Sequence, residues 1–229
     1  MLTEHTGAAP EQVARQIAQE LRSAIAARGQ ATLAVSGGKS PIALFEQLRE
    51  QVLDWSQVTV LLVDERCVPH DHADSNTALV RQHLLQGAAA AASFATLFDS
   101  VPADLNDAGL YDLVATANHR LSAVYFPLDV VVLGMGEDGH TASLFPGAPG
   151  LDHALTSDGP IAWVRPTTAP HARLTLTLPV LLAARHLHLS IAGDGKRKVY
   201  QTATKAANQA LPISLLLNHP YCNVQVWIA

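Results

Sequence analysis

The sequence predicts an α/β fold: a mainly parallel sheet flanked by helices on both faces. Two observations predict it. Short, continuous apolar runs alternate along the chain with segments of helical periodicity, the pattern of strands buried on both faces and covered by crossover helices. Three of those runs are followed at once by polar, glycine-rich segments, as expected where a parallel sheet opens a crevice at the carboxyl ends of its strands. The 229 residues are 48% hydrophobic, which suits one α/β domain spanning residues 1–229.

The elements follow in order. Residues 10–28 place Val13, Ile17, Leu21 and Ile25 four apart, with Gly29 beyond the end, an amphipathic helix with a stop signal. ATLAV (31–35) is a β-rich run that leads into SGGKSP. A helix over 41–51 follows, with Pro41 in its first turn. VTVLLV (58–63) is a second buried strand, ending in DERCVPHDHADSN before a helix over 77–86. The alanine-rich stretch 87–98 is compatible with a loop or a weak helix. Residues 107–124 are helical, and DVVVLG (129–134) is the next strand. IAWVRP, RLTLTL, HLHLSIAG and VQVWIA complete the strands, with helices expected at 179–184, 195–210 and 212–218. No internal repeat and no long linker divides the chain.

Composition excludes several classes of function. Charged residues make up 15% and the net charge is −5, so no nucleic-acid footprint is expected. No apolar run approaches the roughly 20 residues of a membrane-spanning helix, so no membrane partner is expected, and MLTEHTGAAPEQ does not read as a secretory leader. Cys67 and Cys222 lack any C-x-x-C spacing and read as reduced thiols of a cytoplasmic protein. The expected assembly is a monomer or weak homodimer.

The three polar segments carry the chemistry. SGGKS (36–40) offers backbone N–H groups, a hydroxyl and a lysine at the start of a helix, which suits an anion. It lacks the spacing of a P-loop. GMGEDG (134–139) matches the dinucleotide G-x-G-x-x-G pattern, but Glu137 and Asp138 would set two carboxylates against a pyrophosphate, and Pro146 cuts short any following helix. What remains is His140 two residues after Asp138 on a glycine-hinged turn, the equipment of a general base; a plain turn with Asp138 as a cap is the alternative. DERC brings Asp64 and Arg66 to a strand end, where an arginine suits a carboxylate, phosphate or oxyanion, or a structural ion pair with the acid. His70, Asp71, His72 and Asp74 alternate in a loop without a supporting Cys/His set, and no metal is expected. His186 and His188 alternate along a strand and are expected to share one side in a packing role.

Taken together and in this order, SGGKSP, VDERCVPHDHADSN, LGMGEDGHTASLFPG, RLTLTLP and GDGKRKV resemble the 6-phosphogluconolactonase family, from about residue 33 to the last residue. That family is similar in fold to glucosamine-6-phosphate deaminase, so the resemblance implies a NagB/Rossmann-like three-layer sandwich. In the deaminase pattern the segment after the histidine carries Asn-Glu-Pro, whose glutamate serves ring opening. Here the stretch is SLFP, with no acid, which favours the lactonase over a deaminase-like aldose-ketose isomerase. A non-catalytic sugar-phosphate-sensing domain is the further alternative; the N-terminal residues are too few and too acidic for the DNA-binding segment such regulators carry.

The resemblance implies hydrolysis of 6-phospho-D-glucono-1,5-lactone to 6-phospho-D-gluconate, a step of the oxidative pentose phosphate pathway, with a small-molecule sugar-phosphate lactone as partner and without metal or organic cofactor. By the same carry-over, His140 activates water and Asp138 orients its ring. Arg66 serves the oxyanion or orients the substrate, with Asp64 holding it or a sugar hydroxyl. The phosphate is expected on Ser36, Gly37, Gly38 and Lys39, joined by Arg173 and Lys196. Glu137 is given no role.

Overall fold

The computed structural model describes residues 1–102 and 104–229. Its elements are β1 (Leu2–Thr6), α1 (Pro10–Arg28), β2 (Ala31–Val35), α2 (Ile42–Leu48), β3 (Val58–Leu62), β4 (Asp64–Arg66), α3 (Asn76–His83) and β5 (Ser93–Ala95). Then come α4 (Asp107–Leu121), β6 (Val130–Leu133), α5 (Leu151–Thr156), β7 (Ile161–Val164), β8 (Arg173–Leu176), α6 (Leu178–Ala183), β9 (His186–Ile191), α7 (Asp194–Ala203), α8 (Ile213–Leu217) and β10 (Val224–Ile228).

Seven strands form one sheet in the order β1-β10-β9-β6-β2-β3-β5, and every neighbouring pair runs parallel. Both faces are covered, because the alternation along each strand sends two apolar sets in opposite directions. Leu33, Val35, Val60, Leu62, Val130 and Val132 pack with Ile17 and Leu21 of α1 and Phe45 and Leu48 of α2. Ala34, Leu61, Val131 and Leu133 pack on the other side with Ala117 and Leu121 of α4. The result is a three-layer α/β sandwich. The α1 boundaries are set by local chemistry: Pro10 enters at the first turn, and Gly29 at φ 73° donates its N–H to Ile25 O, a left-handed C-terminal cap.

The structure departs from the sequence reading in several places. Leu2–Thr6 is a strand, paired with β10 at the sheet edge; its mostly exposed, polar residues give no apolar run. Runs 161–166 and 173–178 are strands, but not of the main sheet. With β4 they form a three-stranded antiparallel sheet in the order β4-β8-β7, whose Leu174, Leu176 and Ile161 join the α4-side core. The alanine-rich stretch resolves into a 3-10 turn at Gly87–Ala91 followed by β5. The helix expected over 195–210 ends at Ala203, and α5 was not anticipated.

His188 and Glu20 sit together in the core between β9 and α1. Trp227 Nε1 donates to His188 Nδ1 at 2.9 Å, so the ring proton is on Nε2, which donates to Glu20 Oε2 at 2.6 Å. His186 reaches the same carboxylate at 3.5 Å, so both histidines face one side as expected. Burial alone would push the Glu20 carboxyl up, but the hydrogen bond from His188, aided by Gln16 and His186, holds it below its ordinary 4.5. A depressed carboxylate contributes stability that is present above the unfolded value and lost as pH falls through the folded one. Glu20→Gln is therefore expected to cost about 1–3 kcal/mol at pH 7. In denaturant unfolding, the gap from wild type should narrow as pH drops below 4.5.

Candidate active site

At the carboxyl ends of β2 and β6, where the chain leaves the sheet on either side of the crevice, lies a cavity of about 240 Å³. All three polar segments reach it: Ser36, Gly37 and Gly38; Asp64 and Arg66; and Gly134, Met135, Gly136 and His140. Arg173 from β8 and Lys196 from α7 complete its walls. Lys39 does not line the cavity, and its residue is exposed. A second groove shares Arg66, His140 and Arg173 with the cavity and adds Glu137, Asp138, Phe145, Thr168 and Ala169.

His140 is held on several sides. Its Nδ1 lies 2.6 Å from Asp138 Oδ1, and the same oxygen accepts its backbone N–H at 3.1 Å. The ring stacks on Phe145, with centroids 4.1 Å apart and planes 21° apart. Gly136 lies against the ring: a Cβ there would come within 2.3 Å of Nδ1 and 2.5 Å of Asp138 Oδ1. The turn is pinned by Gly136 N–H to His140 O at 2.9 Å and by Ile213 N–H to Gly139 O at 2.9 Å. An ionised Asp138 accepts the Nδ1 proton, which leaves Nε2 with its lone pair. Among the described residues no hydrogen-bond partner occupies Nε2.

The short strand β4 sorts its residues by alternation. Asp64 and Arg66 share one face, and Glu65 takes the other. Buried Glu65 accepts the backbone N–H groups of Arg66, Asn76 and Thr77 at 2.8, 2.8 and 2.7 Å. One carboxylate thus ties the strand to the first turn of α3. Asn76 in turn donates to Asp64 O at 2.8 Å, and its Oδ1 accepts from Arg66 NH1 at 2.7 Å. Gly37 sits so close to this amide that a Cβ would fall 1.8 Å from Oδ1, which accounts for glycine there.

Asp64 does not hold Arg66, contrary to one expectation from the sequence. Arg66 NH1 is held by Asp74 O and Asn76 Oδ1, both at 2.7 Å. Asp64 Oδ2 instead accepts from Ser143 Oγ at 2.5 Å and faces Arg173 NH1 at 3.7 Å. Arg66 and Arg173 are direct partners across the β4–β8 pair, a placement of like charges that opposes pairing unless an anion lies between them. The Nε atoms of both are buried without a protein partner among the described residues. Burial pulls the Arg173 guanidinium below its ordinary value, opposed by Asp64 and reinforced by Arg66. Its guanidinium stands over the Phe145 ring, 5.0 Å from the centroid, so Phe145 touches both the histidine and the arginine.

Several of these residues escaped sequence reasoning. Asn76 stood inside the DSN motif without a role, and Glu65 cannot be told from Asp64 until the strand faces are known. Ser143 and Phe145 were visible only as part of a motif. Ser36 Oγ donates to Val132 O at 3.0 Å, so its hydroxyl is engaged in joining β2 to β6. At Cys67, burial, with Glu65 nearby, pushes the thiol up to about 12, far from the range of a reactive thiolate.

Comparison with known proteins bears on this geometry. The model of the family described as "Glucosamine-6-phosphate isomerases/6-phosphogluconolactonase" matches residues 4–227. A 6-phosphogluconolactonase of Pseudomonas aeruginosa is 47% identical, with 93% of this chain and 90% of that protein covered. One from Neisseria meningitidis is 40% identical over 99% of this chain and 96% of its own length. The crystal structure of a 6-phosphogluconolactonase from Shewanella baltica superposes with a TM-score of 0.90 at 38% identity, covering 100% of this chain and 97% of that one. A monomeric glucosamine-6-phosphate deaminase shares the fold, with a TM-score of 0.73 at 18% identity, covering 99% of this chain and 96% of that one. The chain therefore belongs to the glucosamine-6-phosphate isomerase/6-phosphogluconolactonase family.

Proposed function

We propose that this protein is a 6-phosphogluconolactonase, hydrolysing 6-phospho-D-glucono-1,5-lactone to 6-phospho-D-gluconate. The observation that carries the reading is the His140–Asp138 pair, which shares a cavity with Arg66 and Arg173, two arginines whose Nε atoms have no hydrogen-bond partner among the described residues. The high identity to proteins named as this lactonase, over nearly the whole chain, supports it.

A lactone is an activated ester, and its hydrolysis needs a positioned water, a base and a donor for the oxyanion. His140 Nε2 takes a proton from water as its oxygen bonds to the C1 carbonyl carbon. The carbonyl oxygen becomes an oxyanion, for which Arg66 is the donor within the same walls. Collapse of the tetrahedral intermediate breaks the bond from C1 to the ring oxygen, which leaves with the proton held on His140. The products are a hydroxyl and a carboxylic acid, which ionises. Asp138 keeps the ring in the required tautomer and stabilises the imidazolium that forms in between.

The phosphate is assigned to the backbone of Ser36, Gly37 and Gly38, with Arg173 and Lys196. Lys39, exposed and off the cavity wall, is left out of this set. A dianion clamped away from the reacting carbon uses remote binding energy to fix orientation. Lys196→Ala is accordingly expected to raise KM by about tenfold or more while kcat changes far less. Steady-state kinetics on freshly generated lactone provide the check; a loss confined to kcat would move Lys196 out of the phosphate site.

A further inference from the structure

The loop between β4 and α3 and the loop between β7 and β8 meet beside the active site. At their meeting point, His171 Nε2 lies 3.1 Å from Asp74 Oδ2, and His72 Nδ1 lies 3.8 Å from the same oxygen. The two imidazoles stand edge to face, with centroids 5.4 Å apart. All three candidate donor atoms fall within 4.8 Å of one another. The alternating run of the sequence lacked a supporting ligand, and the fold brings one from almost a hundred residues away. His70 is not part of the group: its ring packs on Phe98.

We propose that His72, Asp74 and His171 bind a divalent transition metal of the zinc class, clipping the two loops together at the edge of the active site. Zinc bonds to imidazole nitrogen and carboxylate oxygen are about 2.0–2.2 Å, so the edge of a tetrahedral site is about 3.4 Å. The observed 3.1 and 3.8 Å bracket that edge for two donor pairs, and the third pair lies within 4.8 Å. The set is two nitrogens and one oxygen, borderline ligands that select zinc, cobalt or nickel over magnesium or calcium. His171 sits at φ 68°, a left-handed conformation uncommon outside glycine though better tolerated by histidine than by most residues. Binding replaces two contacts: the Asp74 N–H to His72 Nδ1 bond of 3.0 Å and the His171–Asp74 bond. The solvent-exposed N–H can return to water, and the His171 ring proton shifts from Nε2 to Nδ1.

The loop carrying this group also carries the carbonyl that holds the active-site arginine, since Arg66 NH1 donates to Asp74 O at 2.7 Å. The groove lined by Thr168 and Ala169 lies on the His171 loop. Metal bound here is therefore expected to lower turnover by stiffening both walls. That second effect rests on the lactonase reading, whereas binding does not.

The test uses metal-free protein without a histidine tag. Titration with Co2+ should develop the visible bands of a tetrahedral site at one equivalent, and Zn2+ should displace them. His171→Asn, which tolerates the left-handed backbone, and Asp74→Asn, which keeps the carbonyl contact to Arg66, should each weaken binding by about tenfold or more. Circular dichroism confirms that both variants are folded. Absence of the bands, or equal affinity in the variants, overturns the site. Zn2+ should also slow wild-type turnover and leave His171→Asn unaffected. Stoichiometric binding without that difference overturns the link to Arg66 while leaving the site in place.

Discussion

Replacing His140 by alanine is expected to lower kcat by about 10²- to 10⁴-fold, the usual contribution of a positioned general base. Affinity for 6-phosphogluconate should stay largely intact. The separation follows from how the site is assembled. The His140 ring is fixed by Asp138 and Phe145, neither of which holds Arg66, and Arg66 is secured independently by Asn76 and Asp74. Loss of the imidazole therefore removes the base without dismantling the oxyanion donor. The measurement is initial-rate hydrolysis corrected for the spontaneous reaction, beside calorimetric binding of 6-phosphogluconate. An equal and mild loss in both would show that His140 is a turn residue rather than the base.

Asp138→Asn separates two roles that alanine would confuse. The Asp138 carboxylate accepts the backbone N–H of His140 at 3.1 Å and sits 2.6 Å from Nδ1 through the same oxygen. An asparagine amide can still cap the backbone through its oxygen. If its NH2 turns to Nδ1 instead, the ring proton is forced onto Nε2, the atom that must accept a proton from water. A loss on the order of 10³- to 10⁴-fold in kcat is expected, by the tautomer logic of serine-protease triads. Near-wild-type activity would reduce Asp138 to a turn cap. Thermal melting of the variant should change little, because Asp138 is a partly exposed residue on a turn.

The parts of this site that were legible in the sequence are those with local signatures. The four-residue apolar spacing and Gly29 marked α1 and its end, and the apolar runs of β2, β3 and β6 marked three neighbouring strands. Their C-terminal segments then had to converge, and they do. Features that depend on pairing distant segments were not legible. The edge strand β1 has too little buried surface to carry an apolar pattern. β4 spans only Asp64–Arg66, too short for any period, so nothing in the sequence tells that Asp64 and Glu65 face opposite ways. Its partner β8 lies more than a hundred residues on, and that pairing is what sets Arg66 opposite Arg173. Arg173 entered the expected site only through the family resemblance, and nothing local in the sequence marks it as the buried residue it is. His171 gave no sign of its proximity to Asp74, since an isolated histidine between two short strands has no spacing to interpret. Lys39, next to two glycines, suggested an anion site; the chain turns at Gly38, with φ 85°, and Lys39 is exposed and does not line the cavity.

The most direct measurement is the rate at which freshly generated 6-phosphogluconolactone disappears, with and without the purified protein, in EDTA, with His140→Ala run alongside. The account predicts rapid loss that survives the chelator, exceeds the buffer blank by orders of magnitude and collapses in the variant. No acceleration over the blank, together with tight binding of 6-phosphogluconate, would contradict it and indicate a domain that senses sugar phosphates without turning them over.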